Sequence, residues 1–233
     1  PWVARRQRQM CIRDRFWLSA AAGSLVLLRR GASDAIGILA WAMLPAIAWW
    51  YFGEPRTLLV LVGALGLALL LRANWTWNRI LLSSVALGLV YGFVLGAVFR
   101  EPIAAMAGEL QKLLPTMFDG AHQQLSVGER ERLEALIAPV LTGLLAALLQ
   151  ILSLLSLILG RYWQAVLYNP GGFGREFRAL RLSLPQALLL LAGMMLGPNL
   201  GPQLAMLTPL CSCLLYTSDA ADERPRVDLG GRR

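Results

Sequence analysis

The sequence predicts an all-α, polytopic helical membrane protein with about six membrane spans. Of its 233 residues, 57% are hydrophobic and only 15% are charged, whereas a soluble domain contains roughly 45–50% apolar and about 25% charged residues. Several apolar runs approach the length of about 20 residues that a helix needs to cross the hydrocarbon core of a bilayer. These runs show no strand-like alternation of apolar and polar residues, which favours helices.

The predicted spans follow one another along the chain, separated by charged or turn-forming segments. We expect them at residues 16–28, 35–52, 57–71, 80–99, 135–160 and from 184 to about 212. The first is short and is interpreted as the end of a truncated span. The second closes with Trp49, Trp50 and Tyr51, and such aromatic residues are typical of membrane interfaces. The sixth is expected to be interrupted around residues 197–199.

Basic residues are distributed unequally between alternate loops. The loops at 29–34, 72–79 and 161–183 carry eight Arg, whereas the opposing loops carry five basic residues and seven acidic ones. Since cytoplasmic loops are enriched in Lys and Arg, we predict that these three loops are cytoplasmic. Segment 100–134 is then predicted to lie outside.

Segment 100–134 is predicted to be amphipathic, because its apolar residues recur at helical spacing. These residues are Ile103, Met106, Ala107, Leu110 and Leu114. Ser126 and Glu129 have the spacing of a capping box in front of the fifth predicted helix. The segment is interpreted either as a lid over an outward-facing site or as a helix that lies on the bilayer surface.

Both ends of the chain are expected to be foreign to the native protein. Residues 5–15, RRQRQMCIRDR, match the translation of a tagmentation sequencing adapter, and residues 213–223, CLLYTSDAADE, match its complementary strand. Two such matches in opposite orientation are hard to obtain by chance. We therefore expect 1–15 and 213–233 to be adapter-derived, which excludes them from fold reasoning, and 16–212 to be a fragment of a membrane domain.

Few residues are candidates for catalysis or metal binding. The only His is His122 in a polar loop, and no His, Cys and carboxylate residues share metal-ligand spacing. No Asp or Glu lies inside a predicted span, which argues against an ion-coupled pump, and no Walker A motif is present. We expect no enzymatic activity, no cofactor and no bound metal. We also expect no nucleic-acid partner, because the basic residues flank membrane spans.

A glycine pattern in the fourth predicted span indicates close helix packing. Gly88, Gly92 and Gly96 form a doubled GxxxG motif, and such small residues let a neighbouring helix approach. The stripe is interpreted as a packing surface within the monomer, with homodimerisation as the alternative. The same spacing recurs at Gly193, Gly197 and Gly201 in the sixth span.

Polar residues inside the fifth predicted span are the candidates for ligand binding. These are Thr142, Gln150 and Ser153, with Gln150 near the middle of the membrane. Polar side chains in lipid seek hydrogen-bond partners. They are interpreted either as contacts to a polar ligand or as hydrogen bonds to neighbouring helices.

The loop after the fifth span is the candidate docking site for an anion or a cytoplasmic partner. Its glycines lie in a sequence that is typical of turns, and its arginines recur at every third position. The candidate residues are Asn169, Gly171, Gly172, Phe173, Arg175 and Arg178. The alternative is that these arginines and aromatic residues only anchor the protein at the cytoplasmic membrane surface.

Three stretches carry a resemblance to a known family. FWLSAAAG at 16–23, WWYFG at 49–53 and the segment 161–183 resemble the YybS-like predicted bacterial membrane proteins, a family classed as a domain of unknown function. Its helices distantly resemble the substrate-binding S components of energy-coupling-factor vitamin transporters. The resemblance implies a multi-pass protein of the bacterial inner membrane.

Two classes of function follow from this resemblance and from the candidate sites. In the first, the chain is a transporter subunit that binds a small molecule and relies on a separate ATPase module. In the second, it is a membrane scaffold or regulator that recruits a cytoplasmic protein through loop 161–183. The expected partners are therefore the lipid bilayer and a cytoplasmic protein or ATPase module.

Overall fold

The computed structural model describes residues 16–117, 127–168, 173–174, 176, 183–201 and 204–215, and no strand occurs among them. The stretches 16–117, 127–168, 184–200 and 204–215 contain eight helices. They are α1 Phe16–Arg30, α2 Ala32–Tyr51, α3 Arg56–Arg72, α4 Trp77–Val98, α5 Arg100–Met117, α6 Val127–Tyr168, α7 Leu184–Leu200 and α8 Leu204–Leu215, which opens with a 3₁₀ turn. The predicted all-α class is therefore confirmed for the described part of the chain.

Three of these helices are long and apolar enough to cross a membrane: α2, α4 and the Glu134–Tyr168 part of α6. The other apolar helices are shorter, with 15 residues in α1 and 17 in each of α3 and α7. The structure thus supports a helical membrane protein, but the described residues contain fewer full-length spans than the six predicted.

Helix α2 has the surface of a lipid-facing helix. Ile36, Trp41 and Leu44 are 68%, 76% and 52% exposed, and only 11% of the apolar window of α2 is buried inside the protein. Large exposed apolar side chains in such number on one helix are unusual on soluble monomers. A bilayer would cover it at no cost, since acyl chains are as apolar as the side chains.

The chain divides into two compact units. Unit 1 comprises Pro1–Ser84 and Leu149–Leu180, and unit 2 comprises Val85–Leu148 and Arg181–Arg233. The boundaries fall inside α4 and α6, so each of these helices contributes one part to each unit.

In unit 1, α1 packs closely against α6 through small residues. A Cβ atom at Gly160 would lie 2.8 Å from the carbonyl oxygen of Ala21, and the Ser156 hydroxyl donates to the Trp17 carbonyl at 3.1 Å. The contacts advance in the same direction along both helices, so α1 and this part of α6 run parallel. Absence of a side chain at residue 160 is what allows the backbones to approach.

The same end of unit 1 holds the C-termini of α1, α3 and α6. The Arg72 guanidinium at the end of α3 donates to the Leu27 carbonyl of α1 at 3.2 Å, and Arg29 lies 4.4 Å from the centre of the Tyr168 ring at the end of α6. A cation beside the last carbonyls of a helix is favourable because of the helix dipole. Arg29, Arg72 and Tyr168, which belong to the three segments that the charge pattern assigns to the cytoplasm, therefore lie at one end of unit 1.

In unit 2, the predicted sixth span is an antiparallel helical hairpin. Helix α7 continues past the expected interruption at 197–199 and ends at Leu200, and the chain turns at Gly201, whose φ is 148°. The Thr208 hydroxyl of α8 donates to the Met194 carbonyl of α7 at 3.2 Å. A Cβ atom at Gly197 would lie 2.7 Å from the Leu204 carbonyl.

Helix α7 does not break at Pro198, because a side chain of α8 supplies the hydrogen-bond donor that proline lacks. Pro198 has no N–H, so the Met194 carbonyl four residues earlier loses its helical partner. The Thr208 hydroxyl replaces that donor, as side chains of neighbouring helices do for proline-containing membrane helices. The helix continues to Leu200, and the reversal falls at Gly201, where the backbone is left-handed.

The amphipathic segment forms α5, whose apolar residues divide into two groups. Ile103 and Ala107 are buried, whereas Met106 and Leu110 are 52% and 39% exposed. The side chain of Leu114, and Ser126 of the predicted capping box, lie outside the described residues.

Most of the predicted adapter sequence also lies outside the described residues, namely 1–15 and 216–233. The exception is residues 213–215, which continue helix α8, with Leu214 buried.

Candidate functional site

A cavity of about 620 Å³ lies within unit 2. It is formed by the second half of α4, the start of α5, the first half of α6 and the 3₁₀ turn of α8. Lining residues include Gly92, Phe93, Gly96, Arg100, Thr142 and Met206. Its volume falls within the roughly 300–1,000 Å³ that small-molecule sites occupy.

The cavity exists because the glycine stripe of α4 has different neighbours along its length. Gly88 and Gly92 are buried, and a Cβ atom at Gly92 would lie 2.6 Å from the Met206 sulfur. Gly96, one turn further, is exposed and has nothing within 4 Å of its Cβ position. The stripe therefore packs against a neighbouring element at Gly92 and leaves open space at Gly96.

The polar groups that line the cavity are few. The Thr142 hydroxyl donates to the Ala138 carbonyl of its own helix at 2.8 Å, so its lone pairs can accept a hydrogen bond from a ligand. Arg100 is exposed, and none of the ion pairs in the described part of the chain includes it. A guanidinium remains charged at every physiological pH and presents five N–H donors.

Arg100 is placed by the junction between two helices. Helix α4 ends at Val98 and α5 begins at Arg100, so Arg100 belongs to the first turn of α5. The N–H groups of a first turn and the helix dipole attract negative charge. Glu101, in the same turn, supplies part of that charge, but it forms no ion pair with Arg100 among the described residues.

Gln150 and Ser153 belong to a polar cluster in unit 1. The Gln150 side-chain NH₂ donates to the Ser84 hydroxyl at 3.1 Å, and that hydroxyl donates to the Leu81 carbonyl at 2.6 Å. The Ser153 hydroxyl donates to the Leu149 carbonyl of its own helix at 2.9 Å. Gln150 is fully buried, and its side-chain oxygen has no hydrogen-bond partner among the described residues.

The three polar residues predicted to bind a ligand therefore do not share one site in the structure. Gln150 bonds to α4 within unit 1, whereas Thr142, eight residues earlier on α6 and so about 12 Å along its axis, lines the cavity of unit 2. A helix presents residues eight apart on similar faces, but each face lies against different neighbours at each level.

The predicted docking loop falls mostly outside the described residues, including Asn169, Gly171, Gly172, Arg175 and Arg178. Phe173 is described and packs edge-to-face against Tyr162, with ring centres 5.9 Å apart. Arg161 forms an ion pair with Glu176 and bonds to Gln164.

Three residues that matter to these sites were missed in the sequence. Arg100 is one of the five basic residues of the opposing loops, whereas Ser84 and Met206 are not among the candidates that the sequence predicts. Ser84 and Arg100 carried a weak signal, since Ser84 belongs with Ser83 to a polar pair inside the fourth span and Arg100 directly follows that span. Nothing in the sequence places Met206 between Gly92 and Gly143, because that contact depends on the hairpin reversal.

No protein-family model matches the chain, and no curated protein or solved structure is significantly similar to it.

Proposed function

We propose that this chain is the small-molecule-binding subunit of a membrane transport system. The observation that carries the proposal is the cavity of about 620 Å³ in unit 2, which is bounded by apolar helices and contains Arg100 and Thr142. Ligand sites of membrane transporters are typically built between helices, with few polar groups. Because the sequence has no Walker A motif, energy from ATP would come from a separate ATPase module.

The proposed setting is the bacterial inner membrane, with several passes. The three helices of spanning length and the resemblance to YybS-like proteins and S components support this setting. The common end of α1, α3 and α6 in unit 1, with Arg29 and Arg72, supports its assignment to the cytoplasmic side under the positive-inside rule.

Native mass spectrometry of the purified protein tests this proposal, with a variant that fills the cavity. Gly96→Leu places a side chain in the open space that lines the cavity, so we expect it to abolish the retained ligand mass. Gly66→Leu is the matched control, because Gly66 is also a helical glycine with nothing within 4 Å of its Cβ position but lies in unit 1.

Two results would contradict the proposal. The first is equal ligand retention by the Gly96→Leu and Gly66→Leu variants, which would place the ligand outside the cavity. The second is an empty protein that instead co-purifies with a soluble partner, which would favour the scaffold or regulator function of loop 161–183.

A further inference from the structure

We infer that the cavity of unit 2 binds an amphipathic anion, with its anionic head group at Arg100 and its apolar body between Phe93 and Met206. This inference rests on the proposed function and specifies its ligand class. Three features of the cavity support it: the charge of Arg100, the apolar character of its wall and the acceptor presented by Thr142.

The charge argument depends on Arg100. It lines the cavity, and no carboxylate in the described residues forms an ion pair with it. Arg100 is the first residue of α5, where the positive end of the helix dipole also favours a negative charge. A carboxylate or phosphate accepts hydrogen bonds from a guanidinium in a fork geometry, so an anion is the complementary ligand group.

The other residues that line the cavity favour a ligand with a hydrocarbon part. Phe93, Ile103, Pro139 and Met206 line the cavity beside small residues of α4 and α6. Phe93 is 59% exposed, so its ring is accessible to the hydrocarbon part of a ligand. A small hydrophilic anion would leave this surface uncovered and would gain little from the methionine, whose flexible thioether adapts to irregular apolar ligands.

Thr142 adds a hydrogen-bond acceptor in the same wall. Its hydroxyl proton is used by the Ala138 carbonyl, which leaves oxygen lone pairs toward the cavity. A ligand that carries a hydroxyl or N–H near its anionic group would satisfy this acceptor. Two sources supply such chemistry, a soluble amphipathic carboxylate and an anionic lipid of the bilayer.

Paired probes that differ in charge test the inference. Thermal shift and native mass spectrometry of the purified protein are performed with decanoate and with decanol, which share a chain length but not a charge. A second arm uses nanodiscs of phosphatidylcholine with and without phosphatidylglycerol. We expect retention of decanoate, phosphatidylglycerol or both, and no retention of decanol. Decanoate alone indicates a soluble ligand, and phosphatidylglycerol alone indicates a membrane lipid.

Substitution of the cation provides the second readout. Arg100→Gln removes the charge and is expected to weaken anion binding about tenfold or more, since hydrogen bonds to charged groups contribute about 1.5–3 kcal/mol. Arg100→Lys keeps the charge and should retain part of the affinity. Arg56→Gln is the matched control, because Arg56 also begins a helix, lies in unit 1 and pairs with Glu54.

Failure of this inference can be distinguished from failure of the proposed function. Equal binding of decanol and decanoate, both lost in Gly96→Leu, would keep the cavity as a ligand site and overturn its anionic specificity. Unchanged anion binding in the Arg100→Gln variant would also overturn the anionic specificity and would leave the cavity as a ligand site. Binding of none of these probes, with a neutral ligand retained from cells, would also overturn the inference alone. A protein that retains neither probe nor native ligand would overturn both.

Discussion

Glycines of unit 2 show how strongly one residue type depends on its surroundings. The Cβ position of Gly143 lies 2.6 Å from the Met206 Cα atom and 2.8 Å from its carbonyl oxygen, whereas that of Gly92 lies 2.6 Å from the Met206 sulfur. Backbone atoms cannot move aside without shifting a helix, but the end of a methionine side chain can change its rotamer. Gly96 faces open space.

We therefore predict a graded response to alanine at these three glycines. Gly143→Ala should lower stability by about 1–3 kcal/mol through overpacking, Gly92→Ala should lower it less, and Gly96→Ala should leave it unchanged or slightly higher because alanine favours helix. Thermal unfolding in detergent measures the order. Equal melting temperatures for the Gly143 and Gly96 variants would mean that α6 does not approach the turn at Met206.

In the buried Gln150 amide, the NH₂ group has a hydrogen-bond partner among the described residues and the oxygen has none. Its NH₂ bonds to the Ser84 hydroxyl, and its oxygen has no partner among the described residues. If the amide were rotated by 180°, the oxygen would face Ser84 and the NH₂ would lack an acceptor. Either orientation leaves a buried polar group unpaired, which is unfavourable.

Substitutions of the Gln150 pair should therefore act asymmetrically. Ser84→Ala is expected to cost about 0.6 kcal/mol and at most about 1.7, the range of side-chain hydrogen bonds in membrane proteins, whereas Gln150→Leu should be neutral or stabilising because it removes the orphaned oxygen. Ser83→Ala is the control, since the Ser83 hydroxyl bonds to the Ile80 carbonyl of its own helix. Loss of stability in Gln150→Leu greater than in Ser84→Ala would contradict this account.

At the scale of elements, the α7–α8 hairpin depends on a side-chain donor. Pro198 deprives the Met194 carbonyl of its helical N–H, and the Thr208 hydroxyl of α8 takes that place. This one hydrogen bond thus satisfies the Met194 carbonyl of α7 and also connects α7 to α8. Gly193 and Gly197 allow α7 and α8 to approach each other closely. Their Cβ positions lie 3.0 Å from the Cys211 sulfur and 2.7 Å from the Leu204 carbonyl, so larger residues would not fit there.

We predict that Thr208→Val destabilises the hairpin, whereas Thr208→Ser preserves it. Valine has the shape of threonine without the hydroxyl, so the difference between the two variants isolates the hydrogen bond to the Met194 carbonyl. We expect a loss of about 0.6–1.7 kcal/mol for valine relative to serine. Unfolding in detergent measures it, and a valine variant as stable as the serine variant would show that the carbonyl is satisfied in another way.

At the scale of the whole molecule, orientation in the membrane follows from charge and from the helix directions in unit 1. The C-termini of α1, α3 and α6 meet through Arg72 and Arg29. The connection between α2 and α3 lies at the opposite ends of those helices and contains Glu54, which pairs with Arg56. An end rich in unneutralised Arg is favoured on the cytoplasmic side.

Accessibility of introduced cysteines measures this orientation. With the native cysteines replaced by serine, a membrane-impermeant thiol reagent should label Phe52→Cys in intact cells and Ala73→Cys only after lysis. Both positions are exposed and follow the C-termini of neighbouring helices, so the comparison does not depend on burial. If only the Ala73→Cys variant were labelled in intact cells, the protein would have the opposite orientation in the membrane.

The helical membrane class and the positions of most helices could be predicted from the sequence alone. Predicted spans 35–52, 57–71 and 80–99 agree closely with α2, α3 and α4, because the length of an apolar run and the turn residues that end it are local properties. The break in the sixth span was displaced, since the donor that continues α7 past Pro198 comes from another helix.

Only the tertiary structure decided which polar groups meet. Ser84 and Gln150 are 66 positions apart in sequence yet form a hydrogen bond, and Arg100, Thr142 and Met206 line one cavity although they come from different helices. Helical periodicity tells which residues share a face, but it does not tell which element covers that face. That choice depends on the close backbone approaches at Gly143 and Gly160, where small residues let dispersion contacts form between helices in lipid.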